Sequence, residues 1–246
     1  MKERQTILIL GAGSDIAKAT SRKFASEGYD VLLAGRDIQQ LERLGKDLIS
    51  RYGVDVSCHL FDAVIFDSHD NFVQNLNSTP DIVAYFVGVM YEQKEASDDW
   101  NKAKTTIDAN YTGAVSIINR LAKKMLEKGN GHIIGVSSVA GERGRGSNYI
   151  YGSAKAAFTA YLSGLRNELF TKGIQVITVK PGFVNTKMTQ DLELPSKLTA
   201  QPQKVGDAIY NAVVKKKDII YIKPIWYYIM QIIRMLPEPI FKRMKL

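Results

Sequence analysis

The stretch TILILGAGSDIAKATSRKFASEG, residues 6–28, decides the fold of this chain. It predicts a short, fully apolar strand, a tight turn at Gly11 and Gly13, and a helix that runs to the end of the stretch. The two glycines let the backbone turn sharply, Ser14 and Asp15 can cap the helix, and the free N–H groups of its first turn favour negative charge. This is the outline of a nucleotide-phosphate site.

Strands and helices alternate along the chain, at roughly 25 to 30 residues per unit, as in a doubly wound sheet. Five further strands are predicted by the runs YDVLLAGRD, DVSCHLFDA, PDIVAYFVGVM, HIIGVSS and IQVITVKPGFVNTKM. Helices are predicted at about 38–51, 68–76 and 98–128, and from Tyr151 onward. The order predicts an α/β fold with a single-domain, Rossmann-like, doubly wound parallel sheet and helices on both faces. Ligands of such a sheet bind beyond the carboxyl ends of its strands.

Composition narrows the class of protein. The chain has 246 residues, 45% of them hydrophobic and 24% charged, enough for one large α/β core. The single cysteine, Cys58, excludes an intrachain disulfide, and three scattered histidines predict no metal site. The first apolar run is too short for a signal peptide. We therefore expect a cytoplasmic protein, with a peripheral position at the inner face of the membrane as the alternative.

The formal charge of +8 raises the question of a nucleic-acid partner. Much of the positive charge lies late in the chain, at Lys215, Lys216, Lys217, Lys223, Arg234, Lys242, Arg243 and Lys245. Because no nucleic-acid motif surrounds these residues, we expect no nucleic-acid partner. Solvated faces, an anionic cofactor or an anionic membrane surface explain the excess more simply.

Tyr151 and Lys155 are four residues apart, so a helix places both side chains on one face. A cation beside a phenol favours the phenolate and lowers the phenol pKa from about 10 toward working pH. The phenol can then exchange a proton with a carbonyl or hydroxyl group. Ser138 ends a predicted strand and is expected to aim its hydroxyl at the same place. The Tyr-x-x-x-Lys spacing alone also occurs by chance in many helices.

The ends of the second to fourth strands suggest cofactor contacts. Arg36 follows the second strand, where an arginine would meet a 2′-phosphate and thus favour NADP(H) over NAD(H). Asp37 keeps NAD(H) open, because a carboxylate can accept from a 2′-hydroxyl, and an arginine paired with a surface acid is the alternative for Arg36. Asp62 can accept from an adenine amino group or cap a helix. Gly88 lets a cofactor pass close to the backbone.

Three later features complete the pattern. Asn110 lies inside a predicted helix, where asparagine is mildly unfavourable, which suggests a function, although a solvent-facing asparagine is the default interpretation. Pro181 and Gly182 end the sixth strand, and Thr186 beyond them can hydrogen-bond a carboxamide. The polar segment 189–203 predicts a mobile lid rather than sheet.

Taken in order, these residues resemble the short-chain dehydrogenase/reductase family over residues 5–225. The resemblance implies an oxidoreductase with a catalytic tetrad of Asn110, Ser138, Tyr151 and Lys155. It implies a homodimer or homotetramer, and a nicotinamide cofactor, NADP(H) preferred, across the strand ends. The expected cofactor-binding residues are Gly11, Gly13, Ser14, Asp15, Ile16, Arg36, Asp62, Gly88, Tyr151, Lys155, Pro181, Gly182, Val184 and Thr186.

The sequence departs from the family pattern at two places. Where the family has Thr-Gly-x-x-x-Gly-x-Gly, this chain has LGAGSDIA at 10–17, so Asp15 puts a carboxylate near the pyrophosphate and is expected to turn away as a helix cap. Where the family has Asn-Asn-Ala-Gly, this chain has YFVG at 85–88, which removes an asparagine associated with a steady central strand. Both changes concern the cofactor site, and neither touches the tetrad.

By this resemblance, the nicotinamide gives a hydride to a carbonyl carbon while Tyr151 delivers a proton to its oxygen. Ser138 orients that oxygen, Lys155 lowers the Tyr151 pKa and binds the nicotinamide ribose, and Asn110 holds a water that relays protons. The alternative is a non-catalytic regulatory module that binds NADP(H) as a sensed ligand.

The chain ends in an unusual segment, residues 219–246, beyond a catalytic domain expected over 1–225. It is apolar and basic and contains Trp226, Tyr227 and Tyr228, but it is too interrupted to span a bilayer. It is expected to lie in a membrane interface, or else to cover the substrate pocket or pack on a partner subunit. This ending looks similar to that of reductases that act on polyprenyl-phosphate sugars, which suggests a keto-sugar or lipid-linked substrate.

Overall fold

A central parallel sheet organises the chain. The computed structural model describes residues 4–190 and 193–244, so Lys245 and positions 191 and 192 of the expected lid lie outside it. The strands are β1 (Thr6–Leu10), β2 (Asp30–Gly35), β3 (Val56–Leu60), β4 (Ile82–Tyr85), β5 (Gly131–Val136), β6 (Ile174–Pro181), β7 (Phe183–Val184), β8 (Thr199–Ala200) and β9 (Ile219–Ile222). The main sheet has the order β3-β2-β1-β4-β5-β6-β9 with all neighbours parallel. The predicted doubly wound sheet is confirmed, and its strand order reverses between β1 and β4.

Helices cover both faces of this sheet. They are α1 (Asp15–Ser26), α2 (Ile38–Tyr52), α3 (His69–Gln74), α4 (Gln93–Asp98), α5 (Trp100–Ile107), α6 (Gly113–Lys128), α7 (Tyr149–Leu169), α8 (Pro202–Val214), α9 (Ile225–Met235) and α10 (Glu238–Phe241). One core contains Phe24 of α1 and Ile209 of α8, and the other contains Ile117 of α6 and Phe158 of α7. Burial on both sides explains why the strands read as continuous apolar runs.

Strand β1 shows this directly. Ile7 and Ile9 belong to the first core, whereas Leu8 and Leu10 belong to the second, and all four are fully buried. Successive side chains of a strand point to opposite faces, so a central strand needs an apolar residue at every position. The strand carries the chain to the crevice between β1 and β4, where ligands bind in such sheets.

The helix expected over 98–128 is interrupted. Helices α4 and α5 are separated at Asp99, and a π-helical turn, Asp108–Thr112, separates α5 from α6. The cause is tertiary: the buried Tyr85 of β4 donates from its hydroxyl to the Ala109 carbonyl at 2.7 Å, and a Cβ added at Gly113 would lie 2.1 Å from the Ala63 carbonyl oxygen. The turn carries Asn110, and π-turns inside α-helices are frequent at functional sites.

Residues 189–203, which were expected to form a mobile lid rather than sheet, contain a short strand near their end. The expectation is wrong for that part of the segment. Strand β8 lies inside the segment and pairs in parallel with β7, which follows Gly182 directly. A short 3₁₀ turn, Lys187–Thr189, leads into the segment, with the Thr189 hydroxyl donating to the Val184 carbonyl at 2.6 Å. These contacts place the segment against the carboxyl end of β6.

The C-terminal segment contributes to the domain rather than standing apart from it. Strand β9 adds the last strand of the main sheet, and α9 buries Trp226 and Met230 against Val139. Tyr227 and Tyr228 of the same helix are exposed. Within residues 4–190 and 193–244, no helix combines the length and apolar character needed to cross a bilayer.

Candidate active site

A cavity of about 380 Å³ opens at the carboxyl ends of the central strands. Its size is typical of a small-molecule site. Most of the residues singled out from the sequence line it: Gly13, Ser14, Asp15, Ile16, Gly88, Ser138, Tyr151, Lys155, Pro181, Gly182, Val184 and Thr186. Four others lie outside its lining, namely Gly11, Arg36, Asp62 and Asn110.

Close backbone packing holds Ser138 near Tyr151. Ser138 begins a 3₁₀ turn, Val139–Gly141, that lies on the first turns of α7. A Cβ added at Gly141 would lie 2.7 Å from the Ala156 nitrogen, and one at Gly152 would lie 2.9 Å from the Ala140 oxygen. Only glycine permits this approach without a backbone shift. Ser138 Oγ accepts from the Ala140 N–H at 3.1 Å, which leaves its own proton to donate into the cavity.

Lys155 is buried beside the phenol of Tyr151. Its ammonium nitrogen lies 5.7 Å from the Tyr151 ring centroid and donates to the Val136 carbonyl at 3.0 Å. The Ser137 hydroxyl donates to the Lys155 carbonyl at 3.0 Å, so β5 and α7 are joined twice. The only signal for Ser137 in the sequence is its place next to Ser138 at the end of the run HIIGVSS.

The pKa values of Tyr151 and Lys155 do not follow the expectation that the ammonium acidifies the phenol. Burial raises the pKa of Tyr151 to about 12, while the Ser138 hydroxyl acts in the opposite direction, and burial lowers the pKa of Lys155 to about 7. The expected lowering of the phenol pKa by the ammonium is therefore wrong for this structure. Lys155 is 4% exposed and forms no ion pair among the described residues, so desolvation disfavours its charged form. Tyr151 is a neutral phenol at pH 7, suited to donating a proton.

Asn110 lies behind Gly88 and is fully buried. Its amide nitrogen donates to the carbonyls of Val89 at 2.6 Å and Thr106 at 2.8 Å, and no group in the described part of the chain donates to its Oδ1. A Cβ at Gly88 would lie 3.1 Å from that oxygen and 3.7 Å from the Lys155 ammonium. The asparagine acceptor and the lysine donor therefore border one small space, which is suited to a water molecule or a ligand hydroxyl.

The glycine turn packs against the end of β4. Gly11 has φ +83°, and a Cβ there would lie 2.9 Å from Val87. Ser14 caps α1, with its hydroxyl accepting from the Ala17 N–H at 3.2 Å. The expectation that Asp15 turns away as a cap is wrong: its carboxylate accepts from the Lys187 N–H at 2.9 Å and joins the turn to the opposite wall.

The residues singled out after β2 and β3 lie outside the cavity lining. Arg36 is exposed and has no ion pair within the described part of the chain, whereas Asp37 caps α2 by accepting from the Gln40 N–H at 2.9 Å. The Asp62 carboxylate accepts from the Val64 N–H at 3.1 Å, so it neither caps α3 nor reaches the cavity lining.

Two further residues of the site were not among the predicted site residues. Trp226 belongs to the C-terminal segment, which was expected either in a membrane interface or as a cover over the substrate pocket. It is 4% exposed and walls the cavity, with its ring against Gly182 and its indole N–H donating to the Leu198 carbonyl at 3.1 Å. Arg145 also lines the cavity. Only its position in the loop between Ser138 and Tyr151 could have drawn attention to it.

Comparisons with known proteins found matches that cover most of the chain. The family model described as short chain dehydrogenase matches residues 5–196. An uncharacterized oxidoreductase of Mycobacterium tuberculosis is 31% identical over 241 residues, which cover 97% of this chain and 96% of that protein.

Solved structures show the same fold. A 7beta-hydroxysteroid dehydrogenase structure has a TM-score of 0.84 at 20% identity, covering 97% of this chain and 95% of that one. A short-chain dehydrogenase from Sphingobium yanoikuyae in complex with NADPH has a TM-score of 0.78 at 21% identity, covering 95% of this chain and 97% of that one. At 20% and 21% identity, these two likenesses show only that the fold is shared.

The burial of Lys155 predicts a pH-dependent stability. Folding lowers its pKa from 10.5 to about 7. The unfolded chain therefore binds more protons between these values, and the free energy of unfolding rises with pH through that window. Relative to Lys155→Met, the wild type should gain about 2 kcal/mol between pH 7 and pH 9, measured by urea denaturation. Lys46→Met, at an exposed position of α2, should keep the wild-type slope. An offset between wild type and Lys155→Met that is constant with pH would contradict the assignment.

Proposed function

Because this chain belongs to the short-chain dehydrogenase family, we propose that it transfers a hydride between NADP(H) and a carbonyl compound or secondary alcohol. Membership makes it an oxidoreductase of the short-chain dehydrogenase/reductase class. The observation that carries the proposal is the convergence of Ser138, Tyr151 and Lys155 on one cavity, with Asn110 directly behind Gly88.

Two features of the site support a nicotinamide dinucleotide as its ligand. Among the described residues, none accepts from the backbone N–H groups of Asp15 or Ile16, which leaves free donors at the N-terminus of α1, suited to a pyrophosphate. Near the reacting end, the Asn110 oxygen has no donor from the residues that the structure describes, and Gly88 leaves the space before it open.

NADP(H) is the form we propose. Arg36 is exposed beside the glycine turn and has no carboxylate partner among residues 4–190 and 193–244, so it is available to a 2′-phosphate. Asp37, the residue that kept NAD(H) open, already accepts a hydrogen bond as the cap of α2. The NADPH complex of the Sphingobium yanoikuyae enzyme, which shares the fold, supports the same choice.

The roles of the side chains follow from their protonation states. When bound, the cofactor supplies the hydride. Tyr151, neutral at pH 7, donates its phenolic proton to the carbonyl oxygen, while the Ser138 hydroxyl donates a hydrogen bond that orients the same oxygen. Lys155 is within reach of the phenol and would bind the nicotinamide ribose hydroxyls.

Lys155 also fits a proton relay. With a pKa of about 7, its amine both takes up and gives up a proton at working pH. Its nitrogen and the Asn110 oxygen border the space in front of Gly88, where a water held by both would restore the proton that Tyr151 gives away.

The central test is the variant Tyr151→Phe. Loss of the donated proton should lower kcat by 10²- to 10⁴-fold, the usual contribution of general acid catalysis, while the Kd for NADPH changes less than about threefold. NADPH oxidation with a panel of ketones gives kcat, and fluorescence titration gives the Kd. Tyr149→Phe is the matched control, because this exposed tyrosine of the same helix contacts Ser97.

Unchanged turnover in Tyr151→Phe would overturn the proposed mechanism. Tight NADPH binding without reduction of any carbonyl by the wild type would instead favour the regulatory module.

Arg36 is tested through cofactor choice. Removing a charge-assisted hydrogen bond to a 2′-phosphate costs about 1.5–3 kcal/mol, so Arg36→Ser should raise the Kd for NADPH about 10- to 100-fold and leave the Kd for NADH unchanged. Arg43→Ser, an exposed arginine of α2, serves as the control. Equal effects on both cofactors would contradict the NADP(H) preference.

The outer face of α9 supports a membrane-associated, lipid-linked substrate such as a keto sugar. Four apolar side chains on α9 are spaced by three, four and three residues along the helix, Ile225, Tyr228, Ile232 and Met235, with exposed fractions of 48%, 63%, 64% and 81%. We name them the outer stripe. Lys242 and Arg243 are exposed beyond it and suit anionic headgroups. Because Trp226 of the same helix walls the cavity, a lipid-bound substrate would lie close to both.

Vesicle binding tests this proposal. The wild type should sediment with vesicles of phosphatidylcholine and phosphatidylglycerol, and Tyr228→Ser/Ile232→Ser/Met235→Ser should bind at least tenfold more weakly, because each apolar side chain contributes about 1.5–3 kcal/mol when buried. Leu60→Ser, exposed at 71% on another surface, is the control. Equal sedimentation of wild type and variant would contradict membrane contact. Light scattering on the same samples measures the expected homodimer or homotetramer, and dissociation by the triple variant would assign the stripe to a second copy instead.

A further inference from the structure

Two arginines in the loop between the Ser138 turn and α7 have opposite environments. Arg143 donates to the carbonyls of Ile233 at 2.5 Å and Leu236 at 2.6 Å. It also pairs with Glu238 at 2.9 Å, and its guanidinium carbon lies 3.7 Å from the Phe241 ring centroid. The surroundings of Arg143 therefore satisfy its charge and fasten the C-terminal segment to the loop.

Arg145, two residues later, has none of these partners. It lines the cavity, its Nε is buried without an acceptor, and no carboxylate of residues 4–190 and 193–244 forms an ion pair with it. Burial lowers its pKa, since the charged form loses water without gaining an anion. A guanidinium nevertheless stays protonated at neutral pH, so the fold keeps an uncompensated cation at the wall of the cavity. Arg145 is half-buried, and a charge partly removed from water is costly unless a ligand pairs with it.

The acids nearest to Arg145 in sequence and in the cavity are already engaged. Glu142 accepts from Lys180 and from the Tyr221 hydroxyl at 2.9 Å, and the Asp15 carboxylate accepts from the Lys187 N–H. Within residues 4–190 and 193–244, the ionisable side chains that line the cavity are thus three basic groups and one acid, namely Arg145, Lys155, Lys187 and Asp15. This balance favours an anion.

A second polar atom without a partner lies in the same loop. Asn148 also lines the cavity, and its buried Oδ1 has no donor among residues 4–190 and 193–244, although the residue stands where a helix cap would use it. A buried acceptor in this state is suited to a donor such as a water molecule or a ligand hydroxyl.

We propose that Arg145 binds an anionic oxygen group, a phosphate or a carboxylate, of the carbonyl substrate, while Asn148 accepts from a hydroxyl of the same molecule. The inference rests on the proposed reductase function and specifies its substrate class. Planar guanidinium donors match both anions in a bidentate manner. The phosphates of the cofactor have their own donors at the start of α1 and at Arg36, whereas Arg145 belongs to the loop that joins Ser138 to Tyr151.

Paired substrates test the anion site. Turnover is measured for dihydroxyacetone phosphate against dihydroxyacetone, for levulinate against methyl levulinate, and for a 2-oxoalkyl diester of farnesyl phosphate against the matching farnesyl ether. The wild type should favour the anionic member of at least one pair by 10- to 100-fold in kcat/KM, the value of a charge-assisted contact. The pair that shows the preference distinguishes a free phosphate, a carboxylate and a lipid-linked phosphate.

Variants assign the preference to Arg145. Arg145→Met should reduce the anion preference to less than about threefold, because kcat/KM falls for the anionic substrate and not for the neutral one. Arg145→Lys should restore part of the preference, and the control Arg43→Met should keep it. The Kd for NADPH should not change in any of them. No anion preference in the wild type, or its survival in Arg145→Met, would overturn the inference.

Binding without turnover separates this inference from the proposed function. Thermal shift and tryptophan fluorescence are recorded with farnesyl phosphate, farnesol, levulinate and inorganic phosphate. If no carbonyl is reduced but an anion stabilises the wild type and not Arg145→Met, the reductase proposal fails and the anion site stands. If no anion stabilises the wild type and neutral ketones are reduced as well as charged ones, the anion site fails and the reductase proposal stands.

Discussion

The contact between the carboxyl end of β5 and the first turns of α7 is the constraint on which the site depends. The Lys155 ammonium donates to the Val136 carbonyl, and the Ser137 hydroxyl returns a bond to the Lys155 carbonyl. Gly141 and Gly152 let the backbones approach until no Cβ fits between them. A helix fixed in this way on a strand sets the depth and rotation of Tyr151, so the proposed acid group is positioned by main-chain packing rather than by flexible side chains.

Burial has a second effect, on charge. The same packing that positions Tyr151 and Lys155 removes them from water and moves their pKa values toward the neutral forms. The phenol then donates a proton more readily than it removes one, and the amine titrates near neutrality. Local spacing suggested an ammonium that acidifies its neighbour. Spacing records which groups are close, but the dielectric environment that decides their protonation depends on the whole fold.

The sheet, its order and the helices on both faces were predictable because each central strand must be apolar throughout, as in β1, and because the glycine turn precedes a helix. The π-turn around Asn110 was not predictable, since Tyr85 reaches it from 24 residues earlier in the chain. That tyrosine replaces the family's asparagine and bonds to the Ala109 carbonyl, so the lost amide is matched by another polar anchor. The sequence left Trp226 between a membrane interface and a pocket cover for the same reason: its ring packs on Gly182, which is distant in sequence. Arg145 could not be distinguished from Arg143 before their partners were known.

The C-terminal segment has a modular character. The family match ends at residue 196, yet α9 supplies a wall of the cavity through Trp226 and is anchored by Arg143. A chain shortened before this helix would lose part of its pocket together with its exposed aromatic surface. Grafting α9 onto a relative that lacks it would therefore be expected to transfer both the selectivity for ligand size and the exposed aromatic surface. A cavity wall built by this helix lets ligand selectivity change without any change at Ser138, Tyr151 or Lys155.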